Sequence, residues 1–191
     1  MLKVSFSVLL LVAISSCSYS LTSLKNPWEK EGIKTVSVPI FKNETMESGA
    51  EVDFSNALRL YLTSRSDKLK YVSGSADAEL KGTITSITLR AAGIKFGTAQ
   101  TEAAGELPNE RLLATSYIVT ANVKLSLVRN SDQKVLWNSS FAQSKTMPSG
   151  SYTDQRRTSN IFIKESNKKE TIRDLSDSMM LLAVDALLEE F

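Results

Sequence analysis

The sequence predicts an α+β protein, a two-layer sandwich in which two helices cover one face of a mixed sheet of four to five strands. Two observations carry this prediction. Apolar residues recur every three or four positions near residue 55 and near residue 180, which is the period of an amphipathic helix. Elsewhere β-branched and polar residues alternate, which is the period of a strand with one buried face. The predicted order of elements is β-α-β-β-β-β-α.

The first half of the ordered chain predicts a strand, a helix and a second strand. Ile33–Phe41 is rich in β-branched residues, although Pro39 cannot donate to a ladder and marks the far end as an edge or an exit. An apolar stripe predicts a helix at about residues 50–65, and Lys68–Val72 predicts the next strand. A strand, a helix and a strand in succession predict a crossover with parallel pairing.

The middle of the chain predicts three antiparallel strands, Ala78–Arg90, Ser116–Val128 and Lys134–Gln143. The second of these alternates cleanly between apolar and polar side chains. Its polar positions are Thr120, Asn122, Lys124 and Ser126. Because two helices can cover only one face of the sheet, we expect these four residues to contact a partner or to remain in solvent.

The last segment predicts a second helix that packs on the sheet. The apolar positions of its stripe are Ile172, Leu175, Met179, Leu182 and Ala186, and Met179 and Met180 are expected in the core. An earlier helical turn at residues 161–163 is expected to be separated from it by a break at residues 166–169. The connection Ala91–Thr115 is long enough to indicate a partner contact or mobility.

The N-terminus has the pattern of an export signal. Lys3 precedes an apolar run, Val4–Ile14, that is too short to span a membrane as a helix, and small residues follow. The sequence Ile-Ser-Ser-Cys resembles a bacterial lipobox, in which Cys17 becomes the acylated first residue of the mature chain. We therefore expect a signal peptide at 1–16, a lipidated tether at 17–31 and a single domain at 32–191. The alternative is an ordinary export signal with an unmodified cysteine.

Composition argues against several classes of protein. The 23 basic and 21 acidic residues nearly balance, whereas a general nucleic-acid binder carries a strong basic excess. The chain has no histidine, so it lacks the commonest general base and the commonest metal ligand. No catalytic, nucleotide-binding or zinc-binding motif is present. We expect no enzymatic activity, no cofactor and no metal site.

Four short segments together resemble one family, the lipopolysaccharide-assembly lipoproteins called LptE. They are CSYSL after the lipobox, IKTVSVPIFKNET, NALRLYL and ADAELKGTITSI. The resemblance implies a lipid-anchored protein of the Gram-negative outer membrane that faces the periplasm. It also implies a complex with the LptD β-barrel, in which the protein supports barrel assembly, plugs the lumen and assists the insertion of lipopolysaccharide into the outer leaflet.

The segment VSVPIFKNET also resembles a second group, outer-membrane lipoproteins with a TolB-N-like α/β domain. That resemblance implies a partner of another kind, either a cell-wall synthase or the subunits of a secretion pore. The two interpretations differ in what a pull-down recovers, because only the first predicts an LptD barrel.

Basic residues gather at one end of the predicted sheet. If the three antiparallel strands alternate in direction, the end of the first, the start of the second and the end of the third meet there. The cations of these segments are Arg90, Lys95, Arg111, Lys145, Arg156 and Arg157. Arginine and lysine bind phosphates, and the LptE resemblance points to Arg111 and, more loosely, to Lys145 as contacts of lipopolysaccharide phosphate. The alternative is an ordinary solvated charge cluster.

Overall fold

The structure is a computed structural model that describes residues 26–65, 69–96, 112–148 and 161–189. A 3₁₀ turn, Glu29–Glu31, precedes the regular elements. The helices are α1 (Ala50–Arg65) and α2 (Ile161–Glu189). The strands are β1 (Thr35–Ser37), β2 (Lys42–Asn43), β3 (Lys70–Tyr71), β4 (Ala78–Phe96), β5 (Leu112–Arg129) and β6 (Val135–Pro148).

All six strands belong to one mixed sheet, with the order β3-β1-β4-β5-β6 and with β2 paired to β4. Strands β1 and β3 are parallel neighbours on either side of α1 in the chain, so the predicted crossover is confirmed. Strand β4 is parallel to β1 and β2, whereas β5 is antiparallel to both of its neighbours, β4 and β6. The α+β class is confirmed, with one strand more than predicted.

Within the predicted strand Ile33–Phe41, only Thr35–Ser37 is regular strand, and the chain is interrupted around Pro39. The additional strand, Lys42–Asn43, lies just beyond the predicted end. Helix α1 binds the backbone groups that this interruption frees. The buried Ser55 hydroxyl accepts a hydrogen bond from the Phe41 amide at 2.9 Å. The Arg59 guanidinium donates twice to the Val38 carbonyl, at 3.1 and 2.8 Å. The interruption is therefore satisfied by side chains, as buried backbone groups require.

Helices α1 and α2 lie side by side and run in the same direction. Near the start of α1, Glu47 pairs with Lys168 at 3.0 Å. At the end of α1, Arg65 pairs with Asp185 at 2.9 Å. Contacts that advance together along both chains require parallel helices. Both pairs lie near the surface, so we assign them a small part of the stability.

Helix α2 differs from its prediction in two respects. It is continuous from Ile161 to Glu189, so the break predicted at residues 166–169 is wrong. The predicted apolar stripe is wrong at Leu182, which is 49% exposed. The buried stripe passes instead through Met180, Ala183, Val184 and Leu187, while Met179 and Met180 are fully buried as predicted.

The hairpin of β4 and β5 is longer than predicted. Strand β4 continues to Phe96 and β5 begins at Leu112, so much of the segment Ala91–Thr115 is strand rather than loop. The pairing extends in register from Ala78 opposite Arg129 to Phe96 opposite Leu112, with three local shifts. Residues 97–111 lie outside the described part of the chain.

The core lies between the helices and one face of the sheet. The buried side chains include Phe54, Leu58 and Leu62 of α1 and Val123 and Leu125 of β5. Trp28, from the segment predicted to be a tether, also belongs to this core, and its indole N–H donates to the Leu187 carbonyl at 3.2 Å. The chain just before β1 is thereby fixed against the end of α2.

Candidate functional site

The face of the sheet away from the helices is polar along β5. On β5, buried Val119, Ala121, Val123 and Leu125 alternate with the four predicted positions Thr120, Asn122, Lys124 and Ser126. Lys124 is exposed, and the other three side chains are partly exposed. We call the surface formed by these four residues and their strand neighbours the open face.

Hydroxyl and amide groups dominate the open face and bind one another across the strands. The Asn122 side-chain amide donates to the Ser86 hydroxyl at 2.8 Å. The hydroxyls of Thr120 and Ser144 lie 2.7 Å apart. These groups retain donors and acceptors for a second hydrogen bond. The open face is therefore suited to a polar partner that binds through direct and water-mediated hydrogen bonds.

A local irregularity lies at the middle of the open face. The pairing of β4 with β5 shifts between Ile84 and Ser86, and the Thr85 hydroxyl donates to the Asn122 carbonyl at 3.2 Å. Bulges of this kind bend a strand and redirect its side chains. A shallow depression lies beside this shift, lined by polar groups such as Asn122 and Lys124 and by apolar ones such as Phe141.

The antiparallel order of β4, β5 and β6 brings the segments of the predicted basic cluster to one end of the sheet. The sheet nevertheless separates two of its members. Arg90 lies opposite Ile118 in the register and is exposed on the open face. Lys145 lies opposite the buried Val119, and its ammonium pairs with Asp174 of α2 on the helix side.

The remaining predicted site residues are described only in part or not at all. Lys95 lies in β4 opposite Leu113, but its side chain is outside the described set. Cys17, Arg111, Arg156 and Arg157 lie outside the described residues. The described cations Arg90 and Lys145 therefore face different surroundings, with the sheet between them.

A separate cluster of hydrogen bonds fixes the start of β4. The Asp77 carboxylate accepts from the amides of Lys34 and Thr35, at 3.0 and 2.8 Å, and from the Thr35 hydroxyl at 2.8 Å. These donors, the Lys34 amide first, hold the pKa of Asp77 below its ordinary value. The sequence shows Asp77 only as part of a turn, since its partners lie more than forty residues earlier.

Within residues 26–65, 69–96, 112–148 and 161–189, the acidic side chains form no cluster that would hold a metal ion. No helix in the same ranges combines the length and the apolar character needed to cross a membrane.

Several solved structures resemble the chain at low identity. A PelC dodecamer from Paraburkholderia phytofirmans is 12% identical, with a TM-score of 0.46, and the match covers 83% of this chain and 89% of that chain. Lipoprotein GNA1162 from Neisseria meningitidis is 11% identical, with a TM-score of 0.40 and coverage of 71% of this chain and 96% of that chain. A minor lipoprotein from Acinetobacter baumannii is 10% identical, with a TM-score of 0.41 and coverage of 78% of this chain and 88% of that chain. At these scores the likenesses carry no argument about this chain. No curated protein sequence matches it.

A family model gives the assignment that these structures do not. The model described as LptE, lipopolysaccharide-assembly, matches residues 33–186, which is well over half of the chain. The match begins just before β1 and ends within the last two turns of α2, so it includes the whole sheet and both faces described above. The chain belongs to the LptE family of lipopolysaccharide-assembly proteins.

Proposed function

We propose that this protein is an outer-membrane lipoprotein that binds the LptD β-barrel, supports its assembly, plugs its lumen and assists the insertion of lipopolysaccharide into the outer leaflet. The observation that carries the proposal is the LptE family match over residues 33–186. The role is one of binding and not of catalysis. The same match favours this function over binding of a cell-wall synthase or a secretion pore.

The open face is the surface that we assign to the barrel. The lumen of a transmembrane barrel is polar, because lumen-facing residues alternate with lipid-facing ones along each strand. The open face offers hydroxyl and amide groups at Thr120, Asn122 and Ser126, and it carries cations at Lys124 and Arg90. Its chemistry therefore matches a polar wall better than a lipid surface.

A photo-crosslinking amino acid at Asn122 tests this assignment in cells. We expect an adduct with the mass of the protein plus an LptD barrel. The control position is Gln133, which is exposed in the turn between β5 and β6 at the opposite end of the sheet from the predicted basic cluster. A set of open-face positions that yields no barrel adduct would favour simple solvent exposure. Recovery of a cell-wall synthase instead would support the alternative function.

The lipid anchor on Cys17 is part of the same proposal. Acyl chains on the first mature residue hold a protein at a membrane, because each buried methylene contributes about 0.8 kcal/mol. Ser18 follows Cys17, and no aspartate stands there to retain the protein at the inner membrane. Cys17→Ala should give uncleaved or mislocalised protein on membrane fractionation. Unchanged outer-membrane fractionation would mean that docking with the barrel suffices.

A further inference from the structure

The outer edge of the sheet at β6 is distinct from the open face. Strand β6 is the last strand in the sheet order and pairs only with β5. A strand with one neighbour directs half of its backbone N–H and C=O groups outward. At the other end of the order, β3 consists only of Lys70 and Tyr71. From Ser86 onward, β4 also has β5 as its only described neighbour, but this second edge carries Arg90 and Lys95 and two register shifts. Among the described strands, β6 is therefore the long edge that is regular and uncharged over most of its length.

The β6 edge lacks the features that usually prevent strand addition. Natural edge strands carry charges, prolines or bulges along their length. From Val135 to Ser144, ten residues contain no charge, no proline and no glycine. The register shift of the β5–β6 pair lies at its Leu127/Val128 end, so most of the edge is regular. Lys145, the one charged residue of β6, is engaged by Asp174.

The two sides of this edge differ in chemistry. On the helix side, the half-buried Phe141 packs near Trp137, with ring centroids 6.4 Å apart. Leu182 adds an exposed apolar group on the same side. It lies one turn after Ser178, whose hydroxyl donates to the Gln143 side chain of β6 at 2.6 Å.

On the other side of the edge, the open-face positions of β6 carry small or polar groups. The exposed residues there are Asn138, Ser140, Ala142 and Ser144. A strand added to β6 therefore meets Phe141 and Leu182 on one of its faces, interspersed with Ser139 and Gln143, and small polar groups on the other. A strand that alternates apolar and polar residues with a period of two fits both sides.

That pattern is the pattern of a transmembrane barrel strand, which spans the membrane with about 9–11 residues. The uncharged part of the β6 edge has a matching length of ten residues. A closed barrel has no free strand edge, so only an unclosed one presents such a partner. We propose that β6 pairs with a strand of the partner barrel before that barrel closes. This inference rests on the proposed function and gives barrel assembly a physical step.

Hydrogen exchange of the purified protein with a defined peptide tests the pairing. The probe is a peptide of about ten residues that alternates valine with threonine, flanked by lysines for solubility. A second peptide of the same composition has its valines in one block. We expect the alternating peptide to slow exchange of the β6 amides between Trp137 and Ser144, and the block peptide to leave them unchanged.

Charged substitutions on the edge supply the matched comparison. The double variant Ser140→Lys with Ala142→Lys puts two cations on exposed β6 positions and should abolish the protection. The control Ser73→Lys with Ser75→Lys adds two cations at exposed positions between β3 and β4, away from β6, and should bind the peptide as the wild type does. Equal protection in all three proteins, or protection by the block peptide, would overturn the proposal.

Further outcomes distinguish strand addition to β6 from self-association of the protein and from the proposed function. If β6 becomes protected without peptide as protein concentration rises, and light scattering shows a doubled mass, the edge binds a second copy and the proposal is wrong. If the peptide never binds while Asn122 still crosslinks to the barrel, strand addition is wrong and the proposed function stands. If the crosslinker at Asn122 gives no barrel adduct in the otherwise unmodified protein, that result counts against the proposed function itself.

Discussion

At the scale of single residues, Ser55 shows how a buried hydroxyl permits an interrupted strand. It accepts from the Phe41 amide and donates to the Glu51 carbonyl one turn earlier in α1. Ser55→Ala leaves a buried N–H without a partner, which costs about 1–3 kcal/mol of unfolding free energy. Urea denaturation measures this. Ser64→Ala removes an exposed hydroxyl of the same helix and should cost under about 0.5 kcal/mol; equal effects would contradict the assigned role.

Asp77 is the residue whose hydrogen bonds predict a pH dependence. Its pKa is lowered in the folded state, first by the Lys34 amide. Its contribution to stability is therefore present above the pKa of the unfolded chain, about 3.9, and is lost as the pH falls through the lower folded-state pKa. We expect the wild type to have a higher urea midpoint than Asp77→Asn at neutral pH. The difference between the two midpoints should become smaller as the pH is lowered below about 4.

Comparing the wild type with Asp77→Asn removes the contribution of the other carboxylates to the pH dependence of stability. The pKa values of Glu44 and Glu51 are also lowered, by Lys42 in the first case and chiefly by backbone hydrogen bonding in the second. Both groups titrate alike in the two proteins, so only the difference in midpoint reports on Asp77. A gap that is constant from neutral to acid pH would show that the hydrogen bonds to Asp77 do not depend on its charge.

At the scale of elements, the periodicity of the sequence predicted correctly those features that depend only on the local backbone conformation. The alternation on β5 placed Thr120 and Asn122 on the open face correctly, because side chains of a strand alternate whatever its neighbours are. The same reasoning failed at Leu182. In α2 the stripe follows the sheet and α1 together, and the sequence alone does not fix where those neighbours lie. The split of the first strand depended on Ser55 and Arg59, which come later in the chain.

Gly82 of β4 is the element-scale position with a sharp steric test. A Cβ added there would lie against the ring of Phe41, which itself stacks on Phe54 with centroids 6.5 Å apart. Gly82→Ala must displace that ring and should cost about 1–3 kcal/mol of unfolding free energy. Gly74→Ala is the control, since an added Cβ there meets nothing within 4 Å. Thermal unfolding of both variants measures this difference in stability. If Gly82→Ala unfolds at the same temperature as the wild type, the close packing of Phe41 against Gly82 is wrong.

At the scale of the whole molecule, the sequence identified the segments of the candidate site but not their faces. The antiparallel order placed the ends of β4 and β6 together, as inferred from the alternation of strand directions. Which face each cation occupies depends on register, and a shift of one residue moves a side chain to the other face. The register puts Arg90 on the open face and Lys145 on the helix side, which spacing along the chain does not reveal.

We propose that the predicted basic cluster binds the phosphates of lipopolysaccharide. Because Arg90 and Lys145 lie on opposite faces of the sheet, substitutions at the two positions should weaken this binding unequally. Asp174 pairs with Lys145 in an exposed contact, whereas Arg90 has no ion-pair partner among the described residues. Arg90→Glu should therefore weaken binding more than Lys145→Glu, and Asp174→Asn should strengthen it by releasing Lys145. Titration with fluorescent lipopolysaccharide at low and high salt measures all three, since exposed charges are screened by salt. Equal losses for Arg90→Glu and Lys145→Glu would indicate one shared site around the end of the sheet. No loss for either would leave both cations as solvated charges.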